Sequence, residues 1–121
     1  MKVFKHPFTI FSPDKEYSNT DGSKLTKVDL LLENCDEVMV VDVKSRVSLK
    51  WLNRHLECLK LLREKEPITG MSGKTMYAAF VGIVFDEDAR ELAANSGMYL
   101  IDINEDTERI NVTPPDKVGT W

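Results

Sequence analysis

Glu37-Val38-Met39-Val40-Val41-Asp42-Val43-Lys44-Ser45 decides how this chain folds. The run is β-prone and apolar, and it carries a carboxylate and an ammonium two residues apart near its end. Side chains i and i+2 of a strand share a face, so Asp42 and Lys44 point the same way. The stretch from Val38 to Val43 is otherwise hydrophobic on both faces, as a central strand covered on both sides would be. Burying two charges there costs several kcal/mol unless they pair or hold a metal. Upstream, Asp29-Leu30-Leu31-Leu32-Glu33 forms a similar run, and Asn34-Cys35-Asp36 between them is short and turn-prone. A hairpin turning about Cys35 and Asp36 sets Asp29 opposite Asp42. Two acids and a lysine at one point of a sheet suit a hard divalent cation.

Outward from this hairpin, strands are expected at about 24–33 and 37–45. An aromatic-rich segment at 3–12 reads as an edge strand, since Pro7 argues against a central position. Residues 13–23 read as loop. Ser48 is an N-cap candidate, and Leu49, Leu52, Leu56, Leu59 and Leu62 or Arg63 recur at helical spacing, predicting an amphipathic helix over 48–65. Residues 66–74 read as loop and 76–85 as a buried strand. Asp86 opens a short helix over 87–95 that Gly97 terminates. Residues 98–103 are a core strand, 107–112 a weak edge strand, and the Pro114-Pro115 tail is expected to be loose. The order is that of a mixed α/β layer fold.

With 121 residues the chain is expected to form one domain, 1–121, that buries roughly two-thirds of its unfolded surface. No apolar stretch approaches the ~20 residues that span a bilayer. The N-terminus lacks the apolar core of a signal peptide, so a cytoplasmic location and no membrane partner are expected. Sixteen basic against twenty acidic residues give a net charge of −4, which excludes attachment to nucleic acid by bulk charge. Nucleic-acid contact therefore needs a local basic face or a divalent metal. Cys35 and Cys58 have no zinc spacing and read as ordinary thiols.

Asp29, then Asp42-Val43-Lys44 on the next strand, then an amphipathic helix, resembles the PD-(D/E)xK nuclease superfamily. The segments Val28–Asp36, Val40–Ser45, His55–Leu59, Gly82 after an alanine-bearing strand, and Ala93–Ile101 extend the resemblance, to a bacterial and archaeal subgroup, over about residues 24–112. It implies a restriction-endonuclease-like fold, a central mixed β-sheet flanked by helices. It also implies hydrolysis of DNA phosphodiesters, with Mg²⁺ (or Mn²⁺) held by Asp29, Asp42 and the main-chain carbonyl of Val43. Lys44 would orient or help deprotonate the attacking water. Mg²⁺ chemistry agrees, since it takes one or two carboxylates, waters and a substrate phosphate. Two departures stand out. Many members carry a further glutamate on a helix before the first strand, for which this chain leaves little room, Asp14 and Glu16 lying in a region read as loop. The (D/E) position is Asp, within the family's pattern.

Other features read more plainly. Gly70-Met71-Ser72-Gly73-Lys74-Thr75 fails as a P-loop, because the motif's first glycine falls on Ile68 and the segment leads from a helix into a strand. His55 and His6 read as packing or surface histidines, and Trp51 with the leucines as core or dimer contact. Arg46, Lys50 and Arg54 follow the acids closely enough to touch a phosphate backbone. A nuclease that pairs to reach both strands of a duplex would be a homodimer, the commonest oligomer. The alternatives are a nuclease-fold module that binds nucleic acid or protein without cutting, and a small α/β interaction domain with no such site.

Overall fold

The computed structural model describes residues 7–121. A six-stranded mixed sheet runs in sequence order: β1 (Ile10–Ser18), β2 (Lys24–Glu33), β3 (Glu37–Val47), β4 (Thr75–Phe85), β5 (Tyr99–Asn104) and β6 (Arg109–Thr113). The first three strands form an antiparallel meander. β3, β4 and β5 are parallel neighbours, and β6 returns antiparallel. The parallel steps require crossovers, supplied by α1 (Leu49–Glu64) with the short α2 (Glu66–Thr69), and by α3 (Glu87–Ser96). This is a mixed α/β fold whose sheet is flanked by helices. Among the described residues, no helix is long and apolar enough to cross a membrane.

The hairpin turn is set by its side chains. Asn34 Oδ1 accepts the amides of Asp36 and Glu37 at 2.9 and 2.7 Å, an Asx turn. Its Nδ2 donates to Glu37 Oε1, and the Tyr77 hydroxyl donates to Glu37 Oε2, both at 3.0 Å. Glu37 is thus buried but satisfied, and the register runs Glu33↔Val38 to Leu30↔Val41. Because a slip of one residue would invert every face, this turn decides where Asp29 and Asp42 point.

One face of the sheet, with Val38, Val40, Met76, Ala78, Phe80 and Leu100, packs beneath both long helices, against Leu52, Leu59 and Leu62 of α1 and Ala89 and Ala93 of α3. The opposite face buries Met39, Val41, Tyr77, Ala79 and Tyr99, with Phe8 and Val118 against them. That cover ends before the strand does. Val43 is exposed, so the expected apolar coverage on both sides holds only as far as Val41.

Several local expectations are corrected. The edge strand begins at Ile10 and continues to Ser18, through residues read as loop; the expected residues 3–6 lie outside the described ones. Pro13 is accommodated because β1 is an edge, where a missing amide costs no ladder bond, and Asp14 takes a positive φ of 50°. Asp14 and Glu16 are therefore strand residues. The buried seam of α1 is Leu52, His55, Leu59 and Leu62; Leu49 is exposed and Leu56 half-buried. Ser48 and Asp86 stand at the helix starts but make no side-chain cap bond. Residues 66–69 are helical, closed by Gly70 in the left-handed region.

The tail is docked. Trp121 N–H donates to the Met76 carbonyl and Gly119 N–H to the Gly97 carbonyl, both at 3.0 Å. Arg63 donates to the Trp121, Met71 and Lys74 carbonyls and pairs with Glu66. Gly97 has φ +84°, and a Cβ there would stand 2.2 Å from the Gly119 nitrogen, so the position needs glycine twice over.

Candidate active site

Asp29 lies just beyond the end of the β2–β3 ladder, while the β1–β2 register continues past it. The β1–β2 register steps from Pro13↔Leu30 to Lys15↔Val28, and the β2–β3 register ends at Leu30↔Val41. With the strands parted, the Val43 amide donates to Asp29 Oδ2 at 2.9 Å and to its neighbour Asp42 Oδ1 at 3.0 Å. Lys44 Nζ lies 3.8 Å from Asp29 Oδ2 and 3.8 Å from Asp42 Oδ1. The acids and the lysine that the hairpin reading placed together do converge, on the helix-covered face.

The electrostatics follow from that convergence. Burial, then the hydrogen bond and charge of Asp29, push Asp42 up to about 7. The hydrogen bond from Asp42 holds Asp29 below the usual carboxylate range, helped by the Val43 amide and Lys44, against its partial burial. Asp42 therefore keeps its proton to a higher pH than an ordinary carboxyl, because two adjacent carboxylates with one ammonium between them resist carrying two negative charges. A divalent cation offsets both, so the donor set fits a hard metal. Among the described residues, no cluster of three or more His, Cys, Asp or Glu side chains converges. This site brings together two carboxylates and the Lys44 ammonium instead.

An open cleft of about 540 Å³ extends from the acids between β2, β3 and α1. Asp29, Asp42 and Lys44 line it together with Trp51, Arg54 and His55. His55 belongs to the floor. Its Nε2 lies 3.2 Å from the Val40 carbonyl, its ring meets Phe80 edge-on at 5.5 Å, and burial takes it down to about 4. It is a neutral core histidine whose Nε2 is already engaged. His6 lies outside the described residues.

Trp51 packs against the core, as one of its two sequence readings has it, but it has a second face. It also lines the cleft and gathers cations. Lys44 Nζ is 4.7 Å, Lys50 Nζ 5.3 Å and Arg54 Cζ 5.0 Å from its ring. The available signal was the spacing of Lys50 and Arg54, which flank position 51 on one helical face. Arg46 is separate, its guanidinium held by Asp86 at 2.9 Å. Of the three basic residues expected to face phosphate, Lys50 and Arg54 thus sit around Trp51, and Arg46 ties β3 to the start of α3.

No family model, curated protein or solved structure matches this chain.

Proposed function

We propose that the cleft is a metal-dependent phosphodiesterase centre acting on DNA, on a restriction-endonuclease-like fold of the PD-(D/E)xK type. The observation that supports this most is the meeting of Asp29, Asp42 and Lys44 where β2 and β3 part, with Lys44 3.8 Å from each acid. A hairpin followed by an amphipathic helix is the setting that the resemblance implies. Asp29 and Asp42 would hold Mg²⁺ or Mn²⁺, with the Val43 carbonyl as the third protein group. When bound, such an ion polarises a phosphoryl oxygen and makes a bound water a better nucleophile.

The chain's own groups have distinct parts. Asp42 would be a metal ligand only in its ionised form. Lys44 supplies a fixed positive charge beside the attacking water and the phosphoryl oxygens on which charge develops. The Val43 amide keeps Asp29 turned toward Asp42. Water adds to phosphorus as the ester oxygen leaves, so the products are a phosphate monoester and a hydroxyl.

Calorimetric titration with Mg²⁺ and with Mn²⁺ tests the proposal. One saturable site is expected in the wild type, lost in both Asp29→Asn and Asp42→Asn. Heats that neither substitution alters would remove the metal centre, and with it the catalytic assignment.

A further inference from the structure

We propose that the cleft takes nucleic acid with unpaired bases, and that Trp51 is the surface on which one such base stacks. The inference rests on the nuclease reading and narrows its substrate class to single-stranded DNA or unpaired segments.

Three features point the same way. Trp51 is only half-buried, lines the cleft and adjoins Lys44, so its indole lies beside the carboxylates rather than sealed in the core. Lys50 and Arg54 stand 5.3 and 5.0 Å from the ring and form no ion pair among the described residues. The first turn of α1 contains Lys50 and no acid, and Ser48 makes no cap bond. A helix start ordinarily favours acidic side chains, because its amides carry partial positive charge. Here a basic residue sits at that end, and the turn is electropositive in a chain of net charge −4.

Cations resting on an indole hold it by cation–π attraction, worth about 0.5–1 kcal/mol each when exposed. Phosphate oxygens offer the same cations stronger, charge-assisted bonds. As a strand enters, Lys50 and Arg54 move from the ring to the phosphates and leave an indole face free. A base fills that face only if it is unpaired, because a paired base in a duplex shows its edges and not its plane. The cleft, about 540 Å³, has room for a nucleotide.

Fluorescence anisotropy in EDTA, where no cutting occurs, tests this with labelled dT12 and a blunt 12-base-pair duplex. Wild type is expected to bind dT12 more tightly than the duplex. Because Trp51 also packs on the core, Trp51→Leu is the main variant, since it keeps apolar volume without a stacking plane. It should weaken dT12 binding by about 5- to 150-fold, the effect of one lost stack, and leave duplex binding unchanged. Trp51→Phe should restore most of the affinity. Lys50→Ala with Arg54→Ala should weaken both ligands and flatten the salt dependence. Equal binding of the two ligands by wild type, or an equal loss or no loss on both in Trp51→Leu, overturns the proposal. The two readings fail separately. A nuclease whose ligand preference ignores Trp51 removes only the stacking role, and a protein that grips dT12 through Trp51 yet cuts nothing removes only the nuclease.

Discussion

The Val43 amide reaches across the gap between two parted strands to donate to Asp29 Oδ2 at 2.9 Å. That bond replaces the ladder bonds that stop at Leu30↔Val41. It joins the two ends of the site, since Val43 lies between Asp42 and Lys44. The backbone thus shares with Lys44 the positioning of the two carboxylates.

Loss of Lys44 should be felt in rate and not in fold. Lys44→Ala removes one fixed charge, which typically costs about 10²–10³ in turnover. Melting temperature and metal titration should stay close to wild type, measured alongside cleavage in one preparation.

Metal affinity should depend on pH. Asp42 is raised to about 7, so a cation must displace its proton at pH 6 but meets a free carboxylate at pH 8. Mn²⁺ binding should tighten as pH rises from 6 to 8 and then level off. Titration at pH 6.5 in two buffers of different ionisation enthalpy should show proton release, which Asp42→Asn, lacking the binding itself, should not.

Metal-free stability should run the opposite way. A carboxyl whose folded value lies above its unfolded one keeps a proton that the unfolded chain has lost. The contribution from Asp42 is thus complete at acid pH, below its unfolded value near 3.8, and falls away as pH rises toward about 7. In EDTA, Asp42→Asn should flatten this loss and melt higher than wild type at pH 8. Added Mg²⁺ should stabilise wild type and leave the variant unchanged.

Asn34→Ala should disturb the site from a distance. It removes both acceptor bonds of the turn and the Nδ2 donor to Glu37 Oε1, and each lost hydrogen bond costs about 0.5–1.5 kcal/mol. Chemical denaturation should show that loss. Metal affinity should fall as well, because the register that sets Asp29 opposite Asp42 is loosened.

The hairpin, its register and the convergence of Asp29, Asp42 and Lys44 were legible because alternation in strands ties spacing to face. The strands at 76–85 and 98–103 and the two long helices were legible from apolar runs and helical periodicity; their parallel pairing has no such local pattern. What failed depended on neighbours distant in sequence. Residues 13–18 extend the expected edge strand through backbone bonds that their mostly solvent-facing polar side chains do not advertise. The tail is held by Arg63 and by a glycine-to-glycine contact, Gly97 against Gly119, neither of which has a local pattern. His55 takes a leucine's place in the buried seam because the Val40 carbonyl satisfies its ring. Trp51 does pack on the core, but its place in the cleft wall was not legible, since helical spacing alone does not separate a cleft wall from a core face.

The most direct measurement is cleavage of end-labelled single-stranded, branched and supercoiled DNA by wild type, Asp42→Asn and Lys44→Ala, each with Mg²⁺, Mn²⁺ and EDTA. Wild type should cut in metal and not in EDTA, and both variants should lose about two orders of magnitude or more. If wild type cuts none of these DNAs, or Lys44→Ala cuts as fast as wild type, the cleft is not a phosphodiesterase centre, and metal binding without cleavage would mark a binding module instead.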